Sequence, residues 1–278
     1  MTVPTATSIR ALLAEHGKAP SRALGQHFLA DPNTSRRIVR LADVGTGDRV
    51  LEIGPGVGSL TAALVEGGAE VTALELDRHV LPLLDAVLAT TGHADRVRVV
   101  QGDALTADLA GVVGPGPCAC VSNLPYNVAT PIVMRILEEV PAITRLLVMV
   151  QREVGERMAA GVGGKEYGSV SVRIAFHGRA RVVGTVPPSV FLPPPKVDSA
   201  LVRIDRHPVP PVTVPSYEGL AAIVAAGFGQ RRKMLRRALV PLLGDRTLPI
   251  LEAAGVDPAA RAETLDLAAF AALARAAA

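Results

Sequence analysis

A loop of alternating glycines is the first feature of the sequence with a chemical use. Gly54, Gly56 and Gly58 follow the apolar run Arg49–Ile53 and precede a segment with a helical pattern. Glycine lets the backbone turn sharply and approach a ligand closely, and the free N–H groups at a helix start favour an anionic group. The spacing is G-x-G-x-G, whereas the dinucleotide fingerprint is G-x-G-x-x-G. The loop therefore suits a smaller ligand with a carboxylate, such as S-adenosylmethionine, better than a diphosphate.

Two acidic residues follow later apolar runs and suit the rest of such a ligand. Glu75 ends the next run, at a position where a carboxylate can accept hydrogen bonds from both ribose hydroxyls. Asp103 follows the third run and could accept a hydrogen bond from an adenine amino group. Each feature alone is weak, because a glycine loop is often only a tight turn and a lone acid often caps a helix. The glycine loop, Glu75 and Asp103 stand in this order at the ends of three successive apolar runs, and the order favours a nucleoside ligand.

The elements that would position these residues alternate along the chain from residue 34 to about 150. Short Val- and Leu-rich runs bounded by turn residues are typical of buried parallel strands. They are Arg49–Ile53, Glu70–Glu75, Val97–Val100, Cys118–Val121 and Leu146–Val150. Helix-length segments separate them, and Pro131 suits the first turn of one such helix. The pattern predicts an α/β fold, a Rossmann-like parallel sheet with helices on both faces.

A proline-rich stretch, Pro208–Pro215, divides the chain. Proline lacks a backbone N–H, so this stretch suits neither a helix nor a central strand and is predicted to be a stiff linker. After it the pattern is helical only, with Ala and Leu dominant. We therefore predict a domain over residues 1–207, with an N-terminal arm over 1–30, and a small all-helical domain over 208–278.

Composition excludes several classes of protein. The 278 residues are 49% hydrophobic and 20% charged, which is enough apolar material for a sizeable core. No uncharged stretch approaches the ~20 apolar residues of a membrane span, and no signal peptide is recognisable. Cys118 and Cys120 are expected to be buried thiols, and the histidines form no metal-spaced pair, so we expect no metal site. We expect a cytoplasmic protein that acts as a monomer.

The segment Asn123-Leu124-Pro125-Tyr126 ends the fourth predicted strand and is a specific motif. With other segments in the same order, it makes the sequence resemble the ribosomal RNA adenine N6,N6-dimethyltransferases, and among them the small-subunit branch linked to kasugamycin sensitivity. The other matching segments are Leu24–Leu29, the glycine loop, Glu75, Gly102-Asp103, Val150–Val154, Phe191–Ser199 and Phe228–Arg236. His27 is a departure, because the family more often has Asn there, and this leaves the contact of residue 27 open.

The resemblance implies a reaction, a cofactor and a set of residues. The reaction is methyl transfer from S-adenosylmethionine to N6 of two adjacent adenines in the 3′-terminal hairpin of 16S rRNA, late in assembly of the small (30S) ribosomal subunit. The implied cofactor-binding residues are His27, Leu29, Gly54, Gly56, Gly58, Glu75, Asp103, Ala104 and Asn123. The implied catalytic residues are Asn123, Leu124, Pro125, Tyr126 and Phe191.

The chemistry of the motif supports this reading. The N6 lone pair of adenine is delocalised into the ring and is a poor nucleophile. The side-chain oxygen of Asn123 and the carbonyl of Leu124 can accept the two N6 hydrogens and aim the lone pair at the methyl group. Pro125 stiffens the motif, and Tyr126 can stack on the target base. By resemblance, Phe191 closes a sandwich around that base, which must first leave its stack.

Basic residues predict a surface for RNA. The segment Gln230–Leu239 is predicted to be one helix. One side of this helix would carry an apolar stripe, formed by Met234, Leu235, Ala238 and Leu239. Every charged residue on its other side is positive. Such a face favours a polyanion, recognised by shape rather than by sequence. The predicted RNA-binding residues are Arg22, Lys196, Arg231, Arg232, Lys233, Arg236 and Arg237.

Three alternatives remain open at this point. One is the same chemistry on large-subunit RNA, as in antibiotic-resistance methyltransferases that carry the same tetrad. The second is an assembly factor without activity that keeps the cofactor site as a relic. The third is a DNA adenine methyltransferase. The intact set Gly54, Glu75, Asp103 and Asn123 argues against loss of activity.

Overall fold

The computed structural model describes residues 3–21 and 24–278. The strands in this part of the chain are β1 Phe28–Leu29, β2 Arg49–Ile53, β3 Glu70–Glu75, β4 Val97–Gln101, β5 Cys118–Asn123, β6 Ile143–Gln151, β7 Gly178–Val186, β8 Phe191–Leu192 and β9 Ser199–Arg206. The helices are α1 Ala6–Glu15, α2 Pro32–Ala42, α3 Ser59–Glu66, α4 Leu81–Thr91, α5 Leu109–Val113, α6 Ala129–Glu139, α7 Arg152–Met158, α8 Ser169–His177, α9 Tyr217–Gly229, α10 Leu235–Ala238, α11 Val240–Leu243, α12 Thr247–Ala253 and α13 Leu267–Ala277. Short 3₁₀ turns lie at Ala94–Arg96, Pro188–Val190, Gly244–Arg246 and Ala262–Thr264.

One mixed sheet, in the order β4-β3-β2-β5-β6-β9-β7, organises the fold. The strands β4, β3, β2, β5 and β6 pair in parallel, and β9 pairs antiparallel with β6. Helices alternate with the parallel strands along the chain, which confirms the predicted Rossmann-like α/β fold. The chain runs from β2 outward to β4 and then returns to add β5 on the other side of β2. Open parallel sheets bind ligands at such a switch point, outside the carboxyl ends of the strands.

The predicted strands agree closely with those of the structure. β2 and β3 have the predicted ends, and the other three extend the predicted runs by one to four residues. The interior of β2 and the end of β3 are buried, as apolar runs in a covered parallel sheet should be. The helix α3 is buried at every residue from Ser59 to Val65, which explains why it carries apolar and small side chains on all sides.

Local signals set several helix starts. Asp31 caps α2 by accepting the N–H groups of Asn33 and Thr34, and Pro32 occupies the first turn. Ser216 and Asp266 cap α9 and α13 in the same way. These are short-range hydrogen bonds, so the sequence alone carries the information for them.

The chain divides into two compact units. The first unit comprises residues 1–155 and 181–206 and contains the large sheet except for the first three residues of β7. The second unit comprises residues 156–180 and 207–278. The sequence analysis places 156–180 in the first domain, whereas the structure packs them with the C-terminal helices. The reason is apolar: Tyr167, Val172 and Phe176 lie in the same core cluster as the buried side chains of α9 and α13. The Tyr167 hydroxyl also donates to the Leu265 carbonyl, at 2.8 Å.

The helix predicted over Gln230–Leu239 is wrong. The helix α9 ends at Gly229, a turn follows, and the helix α10 begins only at Leu235. Instead of continuing the helical ladder, the N–H groups of Leu235 and Arg236 donate to the carbonyls of Ala260 and Pro258, at 2.8 and 3.1 Å. These partners lie more than twenty positions away, so the helical periodicity could not reveal them.

No helix in residues 3–21 and 24–278 is both long and apolar enough to cross a lipid bilayer. The thiols of Cys118 and Cys120 are both buried and unpaired, and burial raises the pKa of Cys120 to about 12. Both cysteines lie on β5, in the interior of the sheet.

The start of α3 provides a test of the packing. Gly58 has a φ of +85°, and a Cβ there would lie 2.6 Å from Cδ1 of Leu84. We expect Gly58→Ala to lower the free energy of unfolding by about 1–2 kcal/mol for the backbone conformation and by about 1–3 kcal/mol for the overpacking. Gly92→Ala is the matched control, since its φ is +70° and nothing lies within 4 Å of the new methyl. Urea unfolding measures both, and equal losses would contradict the steric contribution.

Candidate functional site

A cleft opens at the carboxyl edge of the sheet, at the switch point. Loops after β2, β3, β4 and β5 line it together with the arm that precedes and includes β1. The lining residues are Leu24–Leu29, Glu52–Val57, Ser59, Leu60, Leu74–Leu76, Gly102–Ala104, Asn123–Val128 and Ile132. The sequence analysis placed the cofactor loop, both acidic residues and the tetrad apart along the chain, and the structure brings them into this cleft.

The glycine loop and Glu75 form one side of the cleft. Gly54 and Gly56 both have positive φ, at +69° and +55°, and a Cβ on Gly56 would lie 3.0 Å from the Phe28 ring. The Gly56 N–H donates to Oε2 of Glu75, at 3.0 Å, and the Asp77 N–H donates to Oε1, at 2.8 Å. The two bonds orient the carboxylate, and each oxygen keeps a lone pair for a ligand hydroxyl.

Gly58 does not line the cleft, although the sequence analysis assigned it to cofactor binding. Its left-handed backbone starts α3, and its missing side chain makes room for Leu84. Gly58 is therefore a packing glycine, whereas Gly54 and Gly56 face the ligand space. The regular spacing of the three glycines concealed this difference.

The loop after β4 brings Asp103 and Ala104 to the cleft. Oδ1 of Asp103 accepts the Leu105 N–H at 2.8 Å, and Oδ2 has no hydrogen-bond partner in the part of the chain that the structure describes. Arg135 on α6 holds this loop by donating to the carbonyls of Ala104 and Ala107, at 2.8 and 3.2 Å. The loop thus offers one fixed carboxylate oxygen to a ligand.

The tetrad at the end of β5 presents its acceptors in a fixed arrangement. Nδ2 of Asn123 donates to the His27 carbonyl at 3.1 Å, which assigns the amide orientation and leaves Oδ1 as an acceptor. The Leu124 N–H donates to the Met149 carbonyl at 3.1 Å and so joins the tetrad to β6. Nδ1 of His27 lies 2.7 Å from the Pro193 carbonyl. His27 therefore lines the cleft and positions Asn123 through its backbone.

Tyr126 is held at its ring and at its hydroxyl. The His27 ring stacks on it, with centroids 5.9 Å apart and planes inclined by 24°. The Tyr126 hydroxyl lies 2.7 Å from Oγ of Ser199. Burial raises the pKa of Tyr126, so the phenol stays neutral and hydrogen-bonded. Its ring remains part of the cleft wall.

Phe191 does not occupy the position expected from the resemblance. Its side chain is 4% exposed, belongs to a core cluster with Leu29 and Val186, and is not among the residues that line the cleft. The antiparallel pair Leu29–Phe191 between β1 and β8 places it there. A sandwich of Tyr126 and Phe191 around a base is therefore not formed in this structure. Leu29, the other member of the pair, lines the cleft.

Two polar atoms in the cleft wall lack partners. Oε2 of Glu52 and Oγ of Ser59 are buried and make no hydrogen bond within the described residues. Burial, with the nearby charge of Glu75 adding to it, raises the pKa of Glu52 to about 8. Burial also raises the pKa of Glu75. An unsatisfied buried polar group is costly, so these atoms mark places where a polar ligand would bind favourably.

Several residues of the cleft are not among the site residues predicted from the sequence. Leu76 is a large apolar side chain that is 51% exposed beside Glu75, where it can cover a flat apolar ring. Gln26 joins the N-terminal arm to the loop after β3, because its side-chain amide donates to Oδ2 of Asp77 at 2.9 Å. Glu52 is an acidic residue inside the apolar run of β2, and this unusual position could have been recognised in the sequence as a sign of a site residue. Gln26 gave no such signal, because its partner lies 51 positions away.

The predicted RNA-binding residues differ in their surroundings. Arg232, Lys233, Arg236 and Arg237 are exposed and have no ion-pair partner in residues 3–21 and 24–278. Arg231 instead pairs with Glu263 at 3.0 Å and donates to the Lys165 carbonyl at 2.9 Å. Lys196 is exposed on the first unit. Arg22 lies outside the described residues.

Comparisons with known proteins agree with this geometry. Residues 18–278 match the family described as ribosomal RNA adenine dimethylase. The chain is 45% identical over 274 residues to the ribosomal RNA small subunit methyltransferase A of Thermobifida fusca, covering 97% of this chain and 94% of that one. It is 47% identical over 271 residues to the protein of the same name from Leifsonia xyli, covering 96% and 95%.

Solved structures show the same likeness. The crystal structure of a dimethyladenosine transferase from Plasmodium falciparum has a TM-score of 0.76 and 25% identity, and the match covers 89% of this chain and 96% of that one. The 23S rRNA methyltransferase ErmE has a TM-score of 0.67 and 27% identity, with 90% and 99% covered.

The buried acid Glu52 makes stability depend on pH. The folded protein binds its proton more tightly than the unfolded chain, whose carboxyl has an ordinary pKa of 4.5. The free energy of unfolding should therefore fall as the pH rises from 4.5 towards about 8, by at most about 1.4 kcal/mol per pH unit. Glu52→Gln mimics the protonated form and should flatten this slope. Urea unfolding of the ligand-free protein between pH 5 and about 8 measures it, and identical slopes would contradict the assignment.

Proposed function

The chain belongs to the ribosomal RNA adenine dimethylase family, and on this premise we propose that it dimethylates two adjacent adenines at N6 in the 3′-terminal hairpin of small-subunit rRNA. It is an enzyme that takes the methyl groups from S-adenosylmethionine. The observation that carries the proposal is the joint position of Gly54, Glu75, Asp103 and Asn123 around one cleft. Relatives that share about 45% identity over nearly the whole chain carry the small-subunit name.

The cleft fits S-adenosylmethionine. Glu75 would hold the ribose hydroxyls, Asp103 the adenine amino group, and the Gly54–Gly56 backbone the methionine part. The orphaned Oε2 of Glu52 and Oγ of Ser59 are suitable partners for the polar groups of an amino acid. Leu76 supplies an apolar surface for the adenine ring. When bound, the cofactor supplies an electrophilic methyl group on a sulfonium.

The residues of the tetrad orient the nucleophile. Oδ1 of Asn123 and the Leu124 carbonyl accept the N6 hydrogens, which draws the nitrogen towards tetrahedral geometry. Their positions are set before the substrate binds, because Nδ2 of Asn123 is bonded to the His27 carbonyl and the Leu124 N–H to the Met149 carbonyl. The alkylated nitrogen is strongly acidic and releases its proton to water, so the amide at position 123 need not act as a base.

Dimethylation makes a further demand on this site. After the first transfer N6 carries one hydrogen, so only one of the two acceptor bonds can form again. The site must also hold a methyl group where a hydrogen bond was. Stacking against Tyr126 therefore bears more of the alignment in the second transfer.

The substrate is an immature 30S subunit rather than free RNA, and the protein acts on it as a cytoplasmic monomer. Exposed cations on the second unit, Arg232, Lys233, Arg236 and Arg237, support contact with the phosphate backbone. Such contacts position RNA without reading its bases. Lys196 on the first unit is a further candidate for such a contact.

Analysis of the RNA of a strain that lacks this protein tests the proposal. We expect mass spectrometry of small-subunit rRNA to show loss of a dimethylated adenine pair and its recovery when the gene is restored. An unchanged pair, with the protein still bound to immature subunits, would favour an assembly factor without activity. An unchanged pair with loss of a large-subunit mark would favour an enzyme of the resistance type.

Substitution of Asn123 tests the catalytic assignment. We expect Asn123→Ala to lower methyl transfer by about 10²–10³-fold, because it removes an acceptor aimed at the reacting nitrogen. Calorimetric titration with S-adenosylmethionine checks that Asn123→Ala still binds the cofactor, so that a loss of methyl transfer is not simply a loss of cofactor. Asn33→Ala, on the exposed surface of α2, is the control and should match the wild type. Unchanged turnover in Asn123→Ala would defeat the role assigned to this amide.

Substitution of the basic residues tests the RNA surface. We expect Arg232→Gln to weaken binding to immature 30S subunits about fivefold and to lower the slope of log K against log salt by about one. Arg231→Gln should change the slope less, because its charge is already paired with Glu263. Arg246→Gln removes the same charge from the second unit outside this segment. Equal salt slopes for Arg232→Gln and Arg246→Gln would show that the segment makes no specific contact.

A further inference from the structure

The Tyr126 hydroxyl and Ser199 form a hydrogen bond that the reaction as described does not use. Ser199 is fully buried and is the first residue of β9, and its backbone pairs with Gln151 of β6. Its Oγ lies 2.7 Å from the Tyr126 hydroxyl. Because Ser199 belongs to the interior of the sheet, it is a fixed point, whereas Tyr126 is a partly exposed side chain in the cleft wall.

The bond restrains the ring at the end far from its backbone. Pro125 and the Leu124–Met149 hydrogen bond hold the backbone of the tetrad. A tyrosine ring still turns about two side-chain torsions, and a hydrogen bond at the hydroxyl removes that freedom. His27 stacks on one face of the ring, so a base that stacks on Tyr126 must use the opposite face. Ser199 thereby sets the plane against which the target base stacks.

The two methyl transfers depend unequally on that plane. The first substrate has two N6 hydrogens for Oδ1 of Asn123 and the Leu124 carbonyl, which define the orientation of the amino group. The second substrate has one, so its orientation depends more on the ring. In this second step the N6–C bond forms as the C–S bond of the sulfonium breaks, the sulfur keeps the electron pair, and the remaining N6 proton passes to water.

We propose that Ser199 is a positioning residue that acts through Tyr126 to secure the second methyl transfer, and so determines that the product is the dimethylated rather than the monomethylated base. The inference rests on the proposed function. It assigns no chemical step to Ser199, which touches neither the base nor the cofactor site. It also explains the use of a hydroxyl at a fully buried position, where an unpaired polar group would destabilise the fold.

The experiment is a time course on small subunits from a strain that lacks the enzyme, with S-adenosylmethionine as methyl donor. Liquid chromatography and mass spectrometry quantify N6-methyladenosine and N6,N6-dimethyladenosine, which gives the rate of each transfer. The variants are Ser199→Ala, Tyr126→Phe and the double variant. Ser35→Ala is the matched control, because Ser35 is equally buried in the same unit and its hydroxyl donates to the Asp31 carbonyl, its one hydrogen-bond partner among the described residues.

We expect Ser199→Ala to slow the second transfer about tenfold and the first less than about twofold, so that the monomethylated base accumulates. Tyr126→Phe keeps the ring but removes the partner hydroxyl and should shift the products in the same direction. The double variant should be no slower than the slower single variant, because both changes break one bond. Ser35→Ala should give the wild-type ratio of products.

Several results would overturn the inference. Equal slowing of both transfers in Ser199→Ala, or additive losses in the double variant, would mean that Ser199 does not secure the second transfer through Tyr126. Thermal unfolding checks that each variant is folded, and Tyr126→Phe decides the question if Ser199→Ala is not. Wild-type enzyme that makes no dimethyladenosine on these subunits would refute the proposed function instead. Wild-type activity with an unchanged product ratio in Tyr126→Phe would refute this inference only.

Discussion

Parallel pairing of β2 with β3 on one side and β5 on the other is the constraint on which the site depends. Parallel strands end at the same edge, so the residues that follow them meet although they are far apart in the chain. Gly54, Glu75 and Asn123 follow or end these strands. The chain reverses its direction of winding between β2 and β5, which opens the cleft. Any shift of register would displace every one of these groups together.

In the cleft, several groups do not face the ligand space themselves but hold other residues of the cleft in place. Backbone groups orient Glu75 and Asn123, and Arg135 holds the loop of Asp103. Preorganised acceptors need no rearrangement as the reacting amino group loses its planarity, which is the condition for electrostatic catalysis. The same cleft contains two buried acids, and burial raises the pKa of both Glu52 and Glu75.

Prediction from the sequence succeeded where information is local. The ends of β2 and β3 follow from apolar runs bounded by turn residues, and α6 has Pro131 in its first turn, as predicted. It failed where a distant partner decides the outcome. The segment after Gly229 leaves its helix because its N–H groups bond to Pro258 and Ala260. Residues 156–180 join the second unit because their aromatic side chains enter its core.

The α/β class, the acidic residues Glu75 at the end of β3 and Asp103 just after β4, and the tetrad that begins at the last residue of β5 could be predicted from the sequence, because periodicity and motif order are carried by neighbouring residues. Which of those residues face the cleft depends on how the chain folds. The tertiary structure placed Phe191 in the core through the pairing of β8 with β1, made Gly58 a packing residue beneath Leu84, and paired Arg231 with Glu263. It also joined Tyr126 to Ser199 across 73 positions of sequence. Such contacts depend on side-chain direction and on partners brought together by the sheet, which no local pattern encodes.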